Sequence, residues 1–425
     1  MKKKQEFIPV VLISVQTPDM QDSDMSRSNR EMSMLLADLG MAVVETVVQK
    51  RENKDSPSYL GAGKLKDAAR ITGGTGVVVK GPEKVELIDL NMKVVVDDEI
   101  SAGQQRNLQS ALGVEVMDRV SVILQIFEKR ANSREAKLQV ELAKLEYQLP
   151  RVKDDHSLGD KEGGGGRASR GHTNVELAKQ RIRHNIAELK RAIDGVTPES
   201  NNVPDFTVAL VGYTNAGKSS IMQALTNEGV YVEDKLFATL GTTTRKISPP
   251  AVPPIFVTDT VGFLERLPHG LIASFRSTLS QARHAWAVVQ VIDVADDDWR
   301  NHIAVTSEAL KGVDMSEIPC WLVFNKIDKL CDDTLSQIRT EYPDALFVSA
   351  LSRADMSTLR AKLIDLQDKG LSKCQLTLSY AQYPVLAEFR SYVQVIEEDY
   401  SEEVRVLVKS TEEILNKLRS KIKRD

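Results

Sequence analysis

One short segment constrains this chain more than any other. An unbroken apolar run, Phe206-Thr-Val-Ala-Leu-Val211, passes into Gly212, Tyr213, Thr214, Asn215, Ala216, Gly217, Lys218 and Ser219, and a helical run follows at Ser220–Leu225. The spacing is G-x-x-x-x-G-K-[ST], at a strand–loop–helix junction. Glycines there let backbone N–H groups turn inward around a phosphate, and the helix N-terminus adds partial positive charge. Lys218 can reach the terminal phosphates, and the Ser219 hydroxyl can bind Mg²⁺. By itself the motif implies a purine nucleotide and no more.

Two later segments narrow the choice. Ile255-Phe-Val-Thr-Asp259-Thr260-Val261-Gly262 is an apolar strand ending in a carboxylate and continuing as D-x-x-G. Asp259 can hold the hydration shell of Mg²⁺, and the Gly262 N–H can approach a γ-phosphate. The run Cys320-Trp-Leu-Val-Phe-Asn325-Lys326-Ile327-Asp328 is a second buried strand, ending in N-K-x-D. An aspartate at Asp328 can accept from both N1–H and the exocyclic amine of guanine. Adenine lacks that donor pair, and a site built for such a bond rejects it strongly. Lys326 can lay its stem on the base, and Asn325 can tie this loop to the phosphate loop. Ser349, Ala350 and Leu351 follow another short strand and can offer a backbone N–H to guanine O6. The order and spacing are those of a P-loop GTPase. Lys218, Asp259, Gly262 and Asn215 are the candidate catalytic residues.

The residue after D-x-x-G is Phe263, where Ras-like enzymes carry a water-positioning glutamine. Phenylalanine can neither orient nor polarise water, so intrinsic turnover is expected to be slow and the missing group must come from elsewhere. Asn215 allows two readings. It either helps admit K⁺ near the bridging oxygen, offsetting developing charge, or merely closes the phosphate-loop turn.

The rest of the 425 residues divides by period. Up to about residue 127, β-like runs at Val10–Val15, Ala42–Val48, Gly76–Val79 and Met92–Val96 alternate with helical stretches at Ser28–Leu39, Gly63–Arg70 and Glu83–Leu90. That alternation predicts a parallel α/β subdomain. Leu138, Leu142, Leu145 and Leu149 share one helix face, as do Ile182, Ile186, Leu189 and Ile193. Over 128–200 this predicts a long helical hairpin, the first helix stopped by Pro150 and the loop holding Gly163–Gly166. The expected fold class is therefore α/β: the N-terminal subdomain, the hairpin, a Ras-like G domain over 203–370, and a small α+β domain over 371–425. In the last part, strands are expected at Gln375–Ser379, Val395–Tyr400 and Val404–Lys409, with a helix at Pro384–Val393 and a closing helix rich in Lys and Arg. Gly61-Ala-Gly-Lys64 lacks the spacing of a nucleotide loop and reads as a helix start.

Composition excludes several classes. With 42% hydrophobic and 27% charged residues the chain suits soluble cores. It has no run near the ~18 apolar residues of a membrane span. The basic opening MKKKQEFIPVVLISV reads as a first strand without a cleavage site. Cys320, Cys331 and Cys374 have no pairing or zinc spacing, in keeping with a reducing cytoplasm. No histidine shows metal-ligand spacing. Net charge is −4, so nucleic-acid contact must be local. Residues 129–191 hold 15 basic and 9 acidic side chains, among them Arg151, Lys153, Arg167, Arg170, Arg181 and Arg183. The glycine run is then either a linker or a loop that orders on a phosphate-bearing partner.

These strings together resemble the HflX family of translational GTPases, relatives of Obg. The resemblance spans nearly the whole chain. It rests on Asp97-Asp-Glu-Ile-Ser-Ala-Gly-Gln-Gln-Arg-Asn-Leu108, Asp118-Arg119, Ile126-Phe-Glu-Lys-Arg-Ala131 and the run from Lys137 to Arg151. In the G domain it rests on the phosphate loop, Asp234-Lys-Leu-Phe-Ala-Thr-Leu240, Asp259-Thr-Val-Gly-Phe263 and Leu267-Pro-His269. A cytoplasmic monomer is expected. The resemblance implies a protein that binds GTP or GDP with Mg²⁺, joins the large ribosomal subunit and its rRNA, and splits or rescues stalled ribosomes. It also implies a switch I contact to nucleotide through Phe237, Ala238, Thr239, Leu240 and Gly241. Thr239 would be the second protein ligand of Mg²⁺, with Thr244 the alternative. Two departures stand out. The family's Gly-Pro-Gly-Glu-Thr loop is here Gly171-His-Thr-Asn-Val, and the switch I Asp-Pro is Gly241-Thr242. A nucleotide-switched RNA or ribosome-assembly factor with negligible hydrolysis is the other reading.

Overall fold

The computed structural model describes residues 7–54, 57–79, 87–88, 91–152, 174–196, 206–227, 237, 243–266, 283–312, 315, 317–401 and 403–422. It divides into two compact units. The first takes in residues 1–198 with 235–237 and 266–275, and the second the remainder.

In the first unit, four parallel strands form one sheet: β1 (Ile8–Gln16), β2 (Met41–Lys50), β3 (Lys93–Val96) and β4 (Glu115–Asp118), in the order β2-β1-β3-β4. Helices α1 (Asp22–Asp38), α2 (Ala62–Thr72), α3 (Ala102–Leu112) and α4 (Arg119–Arg130) cover both faces. Val11, Ile13, Val94, Val96 and Val116 face Leu65, Ala68, Leu108 and Leu112 on one side. Such strands are apolar throughout because neither face meets water. Two expectations are corrected. Gly76–Val79 is not a strand: Gly76 has φ +69°, and Val77 and Val79 lie exposed. The fourth strand is instead Glu115–Asp118, whose four residues are too short a run to stand out by period. The expected helix at Glu83–Leu90 lies outside the described residues except for 87–88, as do the glycine run and Gly171–Thr173. Gly61 is the N-cap of α2, as a helix start requires.

Arg119, at the start of α4, is the buried electrostatic centre of this unit. Its guanidinium donates to Asp97 Oδ1 at 2.6 Å and to Glu31 Oε1, and Ser28 donates to the other oxygen of Asp97. Burial pushes the Asp97 carboxyl up, against the pull of Arg119. Asp118 caps α4 by accepting the Ser121 N–H at 2.8 Å. Phe237 also belongs to this unit, edge-on to Phe127 with ring centres 4.7 Å apart.

Helices α5 (Arg134–Arg151) and α6 (Asn174–Val196) are the hairpin helices, and they pack on each other. Pro150 does not stop α5, which continues to Arg151. The leucine stripe is mostly half-buried, and the deeper face of α5 is Ala136, Gln139, Val140 and Ala143.

In the second unit, β5 (Thr207–Gly212), β6 (Thr243–Lys246), β7 (Phe256–Asp259), β8 (Ala287–Asp293), β9 (Cys320–Asn325) and β10 (Leu346–Phe347) form a sheet ordered β10-β9-β8-β5-β7-β6. Only β6 runs antiparallel to its neighbour. Helices α7 (Lys218–Thr226) and α10 (Arg353–Lys369) cover one face, and α8 (Trp299–Gly312) and α9 (Asp332–Glu341) the other. Residues 372–422 form an antiparallel sheet, β11 (Ser372–Leu378), β12 (Gln394–Tyr400) and β13 (Val404–Ser410), ordered β11-β13-β12. Helices α11 (Tyr383–Phe389) and α12 (Glu412–Ile422) pack on it around their own core.

Candidate nucleotide-binding site

The site forms where β5, β7, β8 and β9 end. In an open parallel sheet this edge gathers the loops that follow the strands, so it is where ligands bind. β5 is wholly buried and hands over to Gly212. A side chain at Gly212 would stand 2.2 Å from the Val291 carbonyl oxygen, so only glycine fits against β8. Gly217 has φ +94°, and a Cβ there would meet Asn325 Nδ2 at 2.1 Å. Asn215 sits exposed at φ +60°, a left-handed conformation that asparagine tolerates.

Lys218 lies 6% exposed under the loop, donating to the Gly212 and Tyr213 carbonyls at 3.1 and 2.8 Å. Burial pushes its ammonium down to about 8, against the opposing pull of Asp259. Ser219 Oγ donates to Asp259 Oδ2 at 2.7 Å. These two oxygens, at adjoining element ends, suit a hard divalent cation. The buried Thr214 hydroxyl has no hydrogen-bond partner among the described residues. Such an orphaned group in a phosphate loop fits a site made to receive polar ligand atoms. Thr260 is tied inward to the Leu210 carbonyl at 2.7 Å, and Val261 is buried. Gly262 presses on the loop: a Cβ there would stand 2.9 Å from Thr214 Cα and 3.0 Å from Lys218 Nζ.

At the other end, Asn325 donates to the Ala216 carbonyl at 2.9 Å and accepts the Ala350 N–H at 3.0 Å. It thereby joins the phosphate loop to the Ser349–Leu351 segment. Lys326 adopts φ +64° and pairs with Asp293 at 2.6 Å. Ile327 and Asp328 begin a 3-10 turn that leaves the Asp328 carboxylate exposed. In the segment expected to offer a backbone N–H to guanine O6, all three amides are donated within the protein: Ser349 to Asp355, Ala350 to Asn325, and Leu351 to Ser349 Oγ.

The switch I residues Ala238, Thr239, Leu240 and Gly241 lie outside the described residues, and Phe237 is placed as given above. Thr244 bonds Thr258 through the two hydroxyls at 2.7 Å. Thr258 and Asp259 face opposite sides of β7, so Thr244 is turned from the Ser219–Asp259 pair. Sequence reasoning missed Asp293, Asp355 and His302. Asp355 carried a signal, because Ser352-x-x-Asp355 is an N-cap pattern and Ser352 does cap α10. The other two have no local signature.

A phosphate loop, a Ser–Asp pair beside it and an N-K-x-D turn on one sheet edge define a P-loop GTPase. Family comparison agrees along the chain: "GTP-binding GTPase N-terminal" matches residues 26–128, "GTP-binding GTPase Middle Region" 130–202, and "50S ribosome-binding GTPase" 207–326. GTPase HflX of Gluconacetobacter diazotrophicus is 40% identical over 96% of this chain and 96% of its own. GTPase HflX of Alkalihalophilus pseudofirmus is 34% identical over 85% and 83%, and that of Escherichia coli K12 is 32% identical over 90% and 88%. The chain belongs to the HflX family of GTPases. It binds and hydrolyses GTP.

Proposed function

We propose that this GTPase acts on the large ribosomal subunit, its nucleotide state setting its grip and its output being the splitting or rescue of stalled ribosomes in the cytoplasm. The observation that carries this is the α6 helix of the middle region. Arg181, Arg183 and Arg191 stand exposed along it in a chain of net charge −4. Local basic charge on an acidic protein suits a phosphate-rich partner. No described helix is long and apolar enough to cross a membrane. We read the chain as four parts, 1–127, 128–200, 203–370 and 371–425, supported by separate cores in the first, third and fourth.

Mg²⁺ fits the Ser219 hydroxyl, with Asp259 holding its water shell and Thr239 as the second protein ligand. Bound there, it would neutralise charge on the β- and γ-phosphates. Lys218, once turned from the Gly212 and Tyr213 carbonyls, binds the terminal phosphates. Phe263 supplies nothing to the attacking water, so basal turnover is slow and a partner or K⁺ near Asn215 completes the site. The test is GTP turnover in K⁺ buffer with and without large subunits. A ten-fold rise, about 1.4 kcal/mol off the barrier, supports the proposal. Unchanged turnover, with GTP tightly bound, overturns it.

A further inference from the structure

The residues that follow D-x-x-G, Phe263–Glu265, begin switch II and are fastened to the phosphate loop by three hydrogen bonds. Phe263 N–H donates to the Gly212 carbonyl at 3.0 Å, Thr214 N–H donates to the Phe263 carbonyl at 2.8 Å, and Glu265 N–H donates to the Tyr213 hydroxyl at 2.8 Å. Two of the three are backbone bonds that any residues could make. The third depends on one side chain, Tyr213, the first variable residue of the phosphate loop. Its ring is held from the far side by His302 of α8, stacked at 3.8 Å between centres and 10° between planes. Both residues are buried, at 7% and 8% exposure. Neither the phosphate-loop motif nor the N-K-x-D turn requires a tyrosine or a histidine at these places.

The fastening bears on the terminal phosphate. In this arrangement Gly262 rests on Thr214 and beside the Lys218 ammonium, as the added-Cβ distances of 2.9 and 3.0 Å require. A γ-phosphoryl group is held between a phosphate-loop lysine and the D-x-x-G amide. Those two groups must move apart to admit it. A diphosphate makes no such demand on switch II. We propose that Tyr213 and His302 are positioning residues that latch switch II against the phosphate loop and so set the preference between GDP and GTP. The Tyr213 hydroxyl is the catch, and the His302 ring is the backing that keeps it aimed. This rests on the assignment of the site as a guanine-nucleotide site.

The experiment measures affinity of the full chain for fluorescent GDP and for a non-hydrolysable GTP analogue. Three variants are compared with the parent. Tyr213→Phe keeps the stack and loses the catch. His302→Ala loses the backing, while His302→Phe keeps a stacking ring. Loss of one such hydrogen bond shifts a two-state balance by about three- to ten-fold. Tyr213→Phe and His302→Ala are therefore expected to shift the ratio of affinities about three- to ten-fold in favour of the analogue over GDP. His302→Phe is expected to keep the parent ratio. A merely structural role would weaken both nucleotides together, and that outcome, or an unchanged ratio in Tyr213→Phe, overturns the latch. Binding of neither nucleotide by the parent would instead overturn the site assignment, and the latch with it.

Discussion

Asn325, the last residue of β9, holds the Ala216 carbonyl of the phosphate loop at 2.9 Å through its side-chain amide. Its other end accepts the Ala350 N–H, so a single 1% exposed side chain fixes the phosphate end of the site relative to the base end.

Asn325→Ala leaves a buried carbonyl and a buried N–H without partners, at about 1–3 kcal/mol. GTP and GDP affinities are expected to fall together by about ten- to a hundred-fold, because the tether lies away from the terminal phosphate. Titration of both nucleotides checks this. A loss confined to GTP would contradict it.

Asp328→Ala should erase base discrimination. We assign its exposed carboxylate as the acceptor for the guanine donor pair, and a site deprived of such a bond loses selectivity by about 10² or more. Competition of GTP by ATP measures it. The parent is expected to ignore ATP, and the variant to bind both weakly.

Lys218 yields a pH prediction with a definite sign. Its ammonium titrates at about 8 in the folded chain against 10.5 ordinarily. Between those values the unfolded chain holds a proton that the folded chain has released, so stability from this group rises with pH across that window. The gain reaches about 3 kcal/mol at the upper end. The stability difference between the parent and Lys218→Met, from denaturant melts without nucleotide, should therefore shift in the parent's favour from pH 8 to pH 10. Nucleotide phosphates restore the charge, so binding at pH 9 should take up a proton. Calorimetry in buffers of different ionisation enthalpy detects this.

Arg119→Leu leaves two buried carboxylates, Glu31 and Asp97, without their cation. Breaking such a group by removing one partner costs about 3–5 kcal/mol. The melting of the first unit is expected to drop sharply, while guanine-nucleotide binding at 20 °C persists. Equal loss of both would count against a confined role.

What was legible in the sequence was local. The phosphate loop, D-x-x-G and N-K-x-D each occupy a few consecutive residues after a strand, and the chemistry of each can be argued from residue type alone. Asn325's link to the phosphate loop was expected on the same basis. The remainder depends on tertiary approach. Nothing near Asp293 announces a partner 33 positions later at Lys326, and nothing near His302 points to Tyr213. Gly76–Val79 shows the opposite error. Three valines in a row carry β-propensity, but propensity is a statement about fit to a half-buried pleat, and Gly76 turns the backbone away before a strand can form. Pro150 misled for a positional reason. Proline removes its own N–H bond to the preceding turn without barring helical φ, so α5 carries Pro150 and ends one residue later, at Arg151.

The guanidinium of Arg119 has a consequence for how the chain is made. Glu31 and Asp97 are synthesised 88 and 22 residues before it. Until Arg119 leaves the translating ribosome, packing α1 on the sheet of β1 and β3 would bury two carboxyl groups without that guanidinium. The early strands are therefore expected to gain their full stability only once the fourth strand and the helix behind it have been made.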